Sequence, residues 1–184
     1  MTLVIPGTVT IPVSVLVERR RGVTQWQEHV WRPTGVQVET HDLPPWTMLH
    51  DDGTRALFHA GVADVSLFPT DTLNYKHNLD AAAPRLWVIL RESDTAPGLA
   101  LHAVTADAGE AHLYTDSGND LVEALPLPPE LHTRIAAFVA EHHVEREFHK
   151  RRRDRQDPES LARLGRDESL AHRPKDARRD EADE

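Results

Sequence analysis

The densest set of side chains able to do chemistry is Glu141-His142-His143-Val144-Glu145-Arg146-Glu147-Phe148-His149. On a helix, residues three or four apart share a face, so His142, Glu145 and His149 could offer imidazole and carboxylate ligands to a divalent metal. Their spacing matches neither a zincin motif nor a facial triad, and histidines near a helix C-terminus are also explained by its negative dipole end. A second set, His50-Asp51-Asp52 with His59, surrounds Gly53, but Asp-Asp-Gly is first of all a turn signal. None of the serines, Ser14, Ser66, Ser93, Ser117, Ser160 and Ser169, sits in a Gly-x-Ser-x-Gly elbow. Cysteine is absent, which removes thiolate nucleophiles, disulfides and zinc knuckles. There is no P-loop and no Gly-x-Gly-x-x-Gly, and Lys76, Lys150 and Lys175 are the only lysines, so a phosphate-handling enzyme is disfavoured.

What remains is recognition by charge and by aromatic side chains. Glu18-Arg19-Arg20-Arg21 closes an apolar stretch and reads either as a solvated turn or as an anion or partner contact. Trp46 follows Leu43-Pro44-Pro45 in a loop signature, which marks it as a candidate binding anchor. The run Lys150-Arg151-Arg152-Arg153-Asp154-Arg155 could attract nucleic acid, yet acids follow it closely. Docking on an acidic protein patch, or neutralisation within the chain, accounts for it better, so a protein partner is expected and nucleic acid is not.

The formal charge of −9 is unevenly spread. Residues 1–149 hold 10 Lys/Arg against 20 Asp/Glu, and residues 150–184 hold 11 against 10, which together give that −9. The last 35 residues contain Leu161, Leu164 and Leu170 as their only large apolar side chains, too little surface to offset the entropy of ordering them. The expectation is therefore an α+β domain over 1–149 and a disordered, highly charged tail over 150–184. Within the tail, Asp157 to Gly165 has an N-cap, a first-turn proline and a glycine stop, enough for a short helix on binding. The first 17 residues have no basic start and are broken by Pro6, Gly7 and Pro12, so they read as neither signal peptide nor membrane span, and a cytoplasmic protein is expected.

Several elements must position these groups. Val9, Ile11, Val13, Val15 and Val17 alternate with polar residues, the pattern of a strand with one buried face. Pro12, lacking an N–H, places this strand at an edge or leaves one of its sides unpaired. A second extended segment runs from Thr24 to Arg32 and on through Val36 and Val38, with a bend near Pro33. Leu57 to Phe68 reads as a strand, and Asn74 to Ala83 as a connecting loop. Leu86-Trp87-Val88-Ile89-Leu90 is apolar on both faces, a central strand, with Leu99 to Thr105 pairing back across the Ser93 to Gly98 turn. A short helix falls near 108–115. Pro128-Pro129-Glu130 then opens a helix to about 147, with Leu131, Ile135, Phe138, Val139 and His142 on one stripe. The sum is an α+β fold: a mostly antiparallel sheet of five or six strands with a C-terminal amphipathic helix.

The segments Ile11 to Arg20, the tryptophans Trp26 and Trp31, Tyr75-Lys76-His77-Asn78-Leu79, Pro84-Arg85-Leu86-Trp87-Val88 and Leu125 to Glu130 carry a resemblance. Together they are similar to an uncharacterised bacterial family encoded beside formate dehydrogenase genes and often labelled molybdopterin-guanine dinucleotide biosynthesis protein A. The resemblance spans about residues 9–148 and is most specific at the Val-Glu-Arg-Arg strand end with the two tryptophans. It implies an accessory protein for assembly or maturation of a molybdenum- or tungsten-dependent formate dehydrogenase, with a dehydrogenase subunit or maturation factor as partner. Glu18, Arg19, Arg20, Trp26, Tyr75 and Asn78 are the contact residues it suggests. A guanylyltransferase of the labelled kind opens with a Gly-Gly-rich loop containing an arginine and later a lysine. Here Gly7, Gly22, Gly35 and Gly53 are isolated and the first 60 residues have no lysine, so a non-catalytic role is expected. The alternative is a pterin-cofactor or metal-binding protein or enzyme of molybdenum cofactor biosynthesis. No resident cofactor is expected, with molybdopterin a transient ligand at most.

Overall fold

The computed structural model describes residues 6–22 and 28–144. Trp26, Glu145, His149 and the charged tail lie outside the described residues, and the C-terminal helix stops at His142 with His143 extended, short of the expected 147. Within them the fold is α+β, with strands β1 (Val9–Arg21), β2 (His29–Gln37), β3 (Thr47–Asp51), β4 (Arg55–Leu67), β5 (Arg85–Glu92), β6 (Leu99–Thr105) and β7 (Asp120–Pro126). Helices α1 (Thr72–Leu79), α2 (Ala108–Ser117) and α3 (Pro129–His142) complete it, with a 3-10 turn at Pro69–Asp71 leading into α1.

Two antiparallel sheets, β2-β1-β4-β3 and β6-β5-β7, replace the single sheet of five or six strands that periodicity suggests. Ile11, Val13, Val15 and Val17 of β1 point inward and meet Leu86, Val88 and Leu90 of β5 in one core. Each such fully buried aliphatic side chain contributes about 1.5–3 kcal/mol relative to exposure. The sheets also approach at their edges, β4 beside β6 and β2 beside β7. The second seam is bridged by Arg32, whose Nε and Nη2 donate to Glu123 Oε1 at 3.1 and 2.7 Å.

Pro12 sits where β1 has a neighbour on one side only. It faces Asp64 of β4, and pairing with β2 begins at Ser14. β1 is thus an inner strand with one locally unpaired side. The bend expected near Pro33 is a bulge: Leu16 and Val17 face Gly35 and Pro33, and Thr34 is extruded. β5 is the central strand of its sheet. Its second apolar face is used as well, since Ile89 is fully buried on the side opposite Val88 and Leu90, and α2 packs against this sheet.

Asn74 to Ala83 is not the connecting loop its polarity suggests, because α1 occupies Thr72–Leu79. The helix lacks an apolar stripe and is held by Tyr75 and Asn78, whose polar atoms bind backbone. Helix α2 is capped by Asp107, whose Oδ1 accepts from Gly109 N at 2.7 Å, and stops at Gly118 in the left-handed conformation (φ 70°). Helix α3 buries Leu131, Ile135, Phe138 and Val139, the stripe expected from spacing. It packs on α1, with the Phe138 and Tyr75 rings edge to face at 6.3 Å. These two helices lie at the end of the molecule where β1 begins and β4 ends: a Cβ at Gly7 would come within 3.1 Å of Pro69 and 3.8 Å of His142. The opposite end is built from turns, and the arginines are there.

Candidate functional site

Strand β1 ends in Arg19-Arg20-Arg21, and register decides what joins them. Arg19 and Arg20 of β1 lie opposite Ala56 and Arg55 of β4, while Asp51, the last residue of β3, also faces Ala56. On the other side Arg21 faces His29 of β2. The outcome is a cleft of about 290 Å³ lined by Arg19, Arg20, Arg21 and Arg55 with Glu28, His29, Asp51 and the Gly53-Thr54 turn. Four of the eight arginines in the described residues meet there.

Their partners differ. Arg20 Nε pairs with Glu18 Oε1 two residues back along the strand. Arg19 Nη2 lies 4.0 Å from Asp51 Oδ2, and its guanidinium carbon sits 5.3 Å from the Phe58 ring centroid and 5.7 Å from that of Trp31. Stacking on two rings holds the group in place without neutralising it. Arg21 and Arg55 are exposed, and neither has an ion-pair partner among the described residues. Exposed pairs like Arg20–Glu18 are worth about 0–1 kcal/mol, so an arriving anion can displace them.

The far wall is rigid. Asp52 Oδ1 accepts from Thr54 Oγ1 at 2.6 Å, Thr54 N at 2.8 Å and Arg55 N at 2.8 Å, while Asp51 Oδ1 accepts from Gly53 N at 2.8 Å. The hydroxyl of Thr54 and these backbone donors hold the Asp52 carboxyl at about 2. Gly53 at φ 84° is the residue that lets the turn close. The His50-Asp51-Asp52 set is therefore a turn locked by its own carboxylates. His59 stands apart from it, fully buried and facing Leu16, with neither ring nitrogen hydrogen-bonded. Its nearest ring neighbour is His41, at 6.4 Å between centroids. Among the described residues no three His, Asp or Glu side chains stand close enough to hold a metal ion.

Beside the arginines lies an aromatic cluster. Trp46, at φ 63°, packs edge to face on Trp31 at 5.5 Å, and Trp31 lies 5.2 Å from Phe58. Trp46 is thus half-buried rather than a free anchor, held by a neighbour that sequence spacing does not reveal. Trp31 also lines a second, larger cleft of about 980 Å³ at this same end, with Leu90, Asp94 and Asp120 among its walls. Asp120 is held by Arg91, Nε to Oδ1 at 2.7 Å and Nη2 to Oδ2 at 2.8 Å. That fork keeps its carboxyl below the usual carboxylate range.

The suggested contact residues accordingly separate. Glu18, Arg19 and Arg20 lie together at this end. Trp26 is outside the described residues. Tyr75 and Asn78 lie on α1, away from the arginine cleft, and are buried. The Tyr75 hydroxyl accepts from Phe68 N at 3.2 Å and donates to Ser66 O at 3.5 Å, and burial pushes it up to about 12. Asn78 Nδ2 donates to Arg85 O at 2.7 Å and Ala106 O at 2.9 Å, while its Oδ1 accepts from Arg85 N at 2.9 Å. With all their polar atoms bound internally, these two act as packing and tethering groups and present nothing to a partner. The Tyr-Lys-His-Asn spelling signals polarity but not burial. Arg21 fell within the basic run without being singled out, and Arg55 carried no signal, because only strand register brings it to Arg20.

Two antiparallel sheets, a pair of helices at one end and an arginine-lined cleft at the other define a small α+β domain. Residues 12–152 match the model of the family described as "Protein of unknown function (DUF3305)", and the chain belongs to that family. No curated protein and no solved structure matches it. No helix among the described residues is long and apolar enough to cross a membrane.

Proposed function

We propose that this protein is a non-catalytic cytoplasmic accessory factor in the assembly or maturation of a molybdenum- or tungsten-dependent formate dehydrogenase. The arginine cleft is where it meets a dehydrogenase subunit or maturation factor. One observation carries the contact: four guanidinium groups converge in one cleft of a chain whose formal charge is −9. The acidic remainder repels acidic surfaces, so an acidic partner is steered to this end. The dehydrogenase assignment rests on the sequence resemblance carried by Ile11 to Arg20, Trp26 and Trp31, Tyr75 to Leu79, Pro84 to Val88 and Leu125 to Glu130.

A molybdopterin ligand fits the site poorly. The cleft offers cations to an anionic group, but the described residues that line it include no Trp, Tyr or Phe and no large apolar side chain to wall a pterin ring. No step is derived through the cofactor.

Pull-down of the tagged full chain from its native host, alongside a version lacking residues 150–184, tests the reading. Dehydrogenase subunits or maturation factors are expected with the full chain. Recovery of neither at low salt would refute it.

A further inference from the structure

Most strand edges in this fold are covered. β2 meets β7 through Arg32 and Glu123, and β4 meets β6. The exception is β3, the terminal strand of its sheet, with no described strand on its outer side. β3 is short and bulged, which blunts an edge in part, but it carries none of the lysine or proline that often completes the protection. Here Met48 and Leu49 are instead 51% and 45% exposed, and Leu43, on the approach to β3, is 39% exposed. Met48 lies opposite Phe58, which places it at the rim of the Trp31, Trp46 and Phe58 cluster. The strand then ends at Asp51 inside the arginine cleft. Five residues at about 3.3 Å each make a track of about 17 Å that starts apolar and ends at Asp51, beside the four arginines of the cleft.

Resting on the docking role proposed for the arginine cleft, we infer that the partner binds as an extended segment along β3. Its apolar side chains lie against Met48 and Leu49, and its acidic end enters the cleft beside Arg21 and Arg55. Strand addition joins main-chain bonds to side-chain selection, which suits an open edge. The bulge between Met48 and His50 limits main-chain pairing to a few residues. Most of the affinity therefore comes from the apolar contacts and from charge. Methionine and arginine beside tryptophan are the residue types enriched at such contacts. Charge also fixes direction, because a segment laid the opposite way would leave its carboxylates beside Leu43 and Met48.

A fluorescein-labelled ten-residue peptide of alternating valine and threonine, ending in three glutamates, probes the full-length protein by anisotropy. A matching peptide ending in three lysines is the control. The acidic peptide is expected to bind saturably, and to weaken steeply between 50 and 200 mM salt, as charge-driven contacts do, by roughly tenfold or more. Met48→Asp and the double variant Arg21→Glu/Arg55→Glu should each weaken it at least tenfold. Their urea midpoints should stay at the wild-type value, because all three positions are exposed. Equal binding of the lysine peptide, wild-type affinity in both variants, or no saturation at millimolar peptide would overturn the inference. Deletion of the gene separates this from the accessory role. Lost dehydrogenase activity without peptide binding removes the segment but leaves the role, whereas peptide binding with normal activity removes the role and leaves the docking edge.

Discussion

Replacing Asn78 tests whether it is a tether or a contact. Its amide closes three hydrogen bonds to backbone, two donated to Arg85 O and Ala106 O and one accepted from Arg85 N. These bonds tie α1 to the start of β5 and to the residue that follows β6. Asn78→Ala leaves two carbonyls and one N–H without a partner at a site only 8% exposed. At about 1 kcal/mol net per hydrogen bond, and up to 3 for a buried group left unsatisfied, the loss is about 3–5 kcal/mol. With stability typical of a small domain at about 5–15 kcal/mol and a urea slope of about 1–3 kcal/mol/M, the midpoint should fall by more than 1 M. Asn78→Asp sharpens the test. It keeps the acceptor for Arg85 N–H but turns a carboxylate toward two carbonyl oxygens, so at neutral pH it should cost at least as much as alanine. In acid the protonated carboxyl can donate again, and part of the loss should return. A loss below about 1 kcal/mol for Asn78→Ala, or no acid recovery for Asn78→Asp, would refute the tether.

Other perturbations follow from the same structure. His59→Leu exchanges a fully buried ring with two unpaired nitrogens for a side chain with no polar atoms, and should raise stability by about 1–3 kcal/mol in urea unfolding. A net loss would show that those nitrogens are satisfied. Tyr75→Phe removes the bonds to Phe68 and Ser66 and should cost about 1 kcal/mol at neutral pH. Because burial raises the folded hydroxyl to about 12 from the usual value near 10, the wild type should lose stability as pH rises from about 10 to 12, and the phenylalanine variant should lose less. The Asp52 carboxyl is depressed to about 2, so it stays ionised through the usual carboxylate range, and the stability its bonds to Thr54 and Arg55 confer is lost only as pH falls toward 2. Carbon-detected NMR titration should place its midpoint near 2 in the wild type and closer to 4 in Thr54→Val, and an ordinary wild-type midpoint would contradict the locked turn.

Which parts could be read from the chain alone follows from what periodicity measures. Val13, Val15 and Val17 alternate because one face of β1 is buried, and Leu86 to Leu90 do not because both faces of β5 are. The stripe of α3 was equally plain. Helix α1 is not legible in the pattern because its burial is polar: Tyr75 and Asn78 hold it through backbone bonds, and hydrophobic patterning registers only apolar faces. Strand β3 is not legible because it is short and exposed, nor is β7, where Leu125 alone is buried. At the site, Arg19-Arg20-Arg21 announced itself as a run. Arg55, His29 and Asp51 join it only through the pairing of β1 with β2 and of β4 with β1 and β3, which no local pattern encodes.

Complementation tests most directly the proposal that the arginine cleft serves a formate dehydrogenase. In a strain lacking the gene, formate dehydrogenase activity and bound molybdenum or tungsten should fall and return with the wild-type chain. They should not return with Arg21→Glu/Arg55→Glu expressed at the same level. Undiminished activity and metal content in the deletion strain, or full rescue by the charge-reversed variant, would contradict the account.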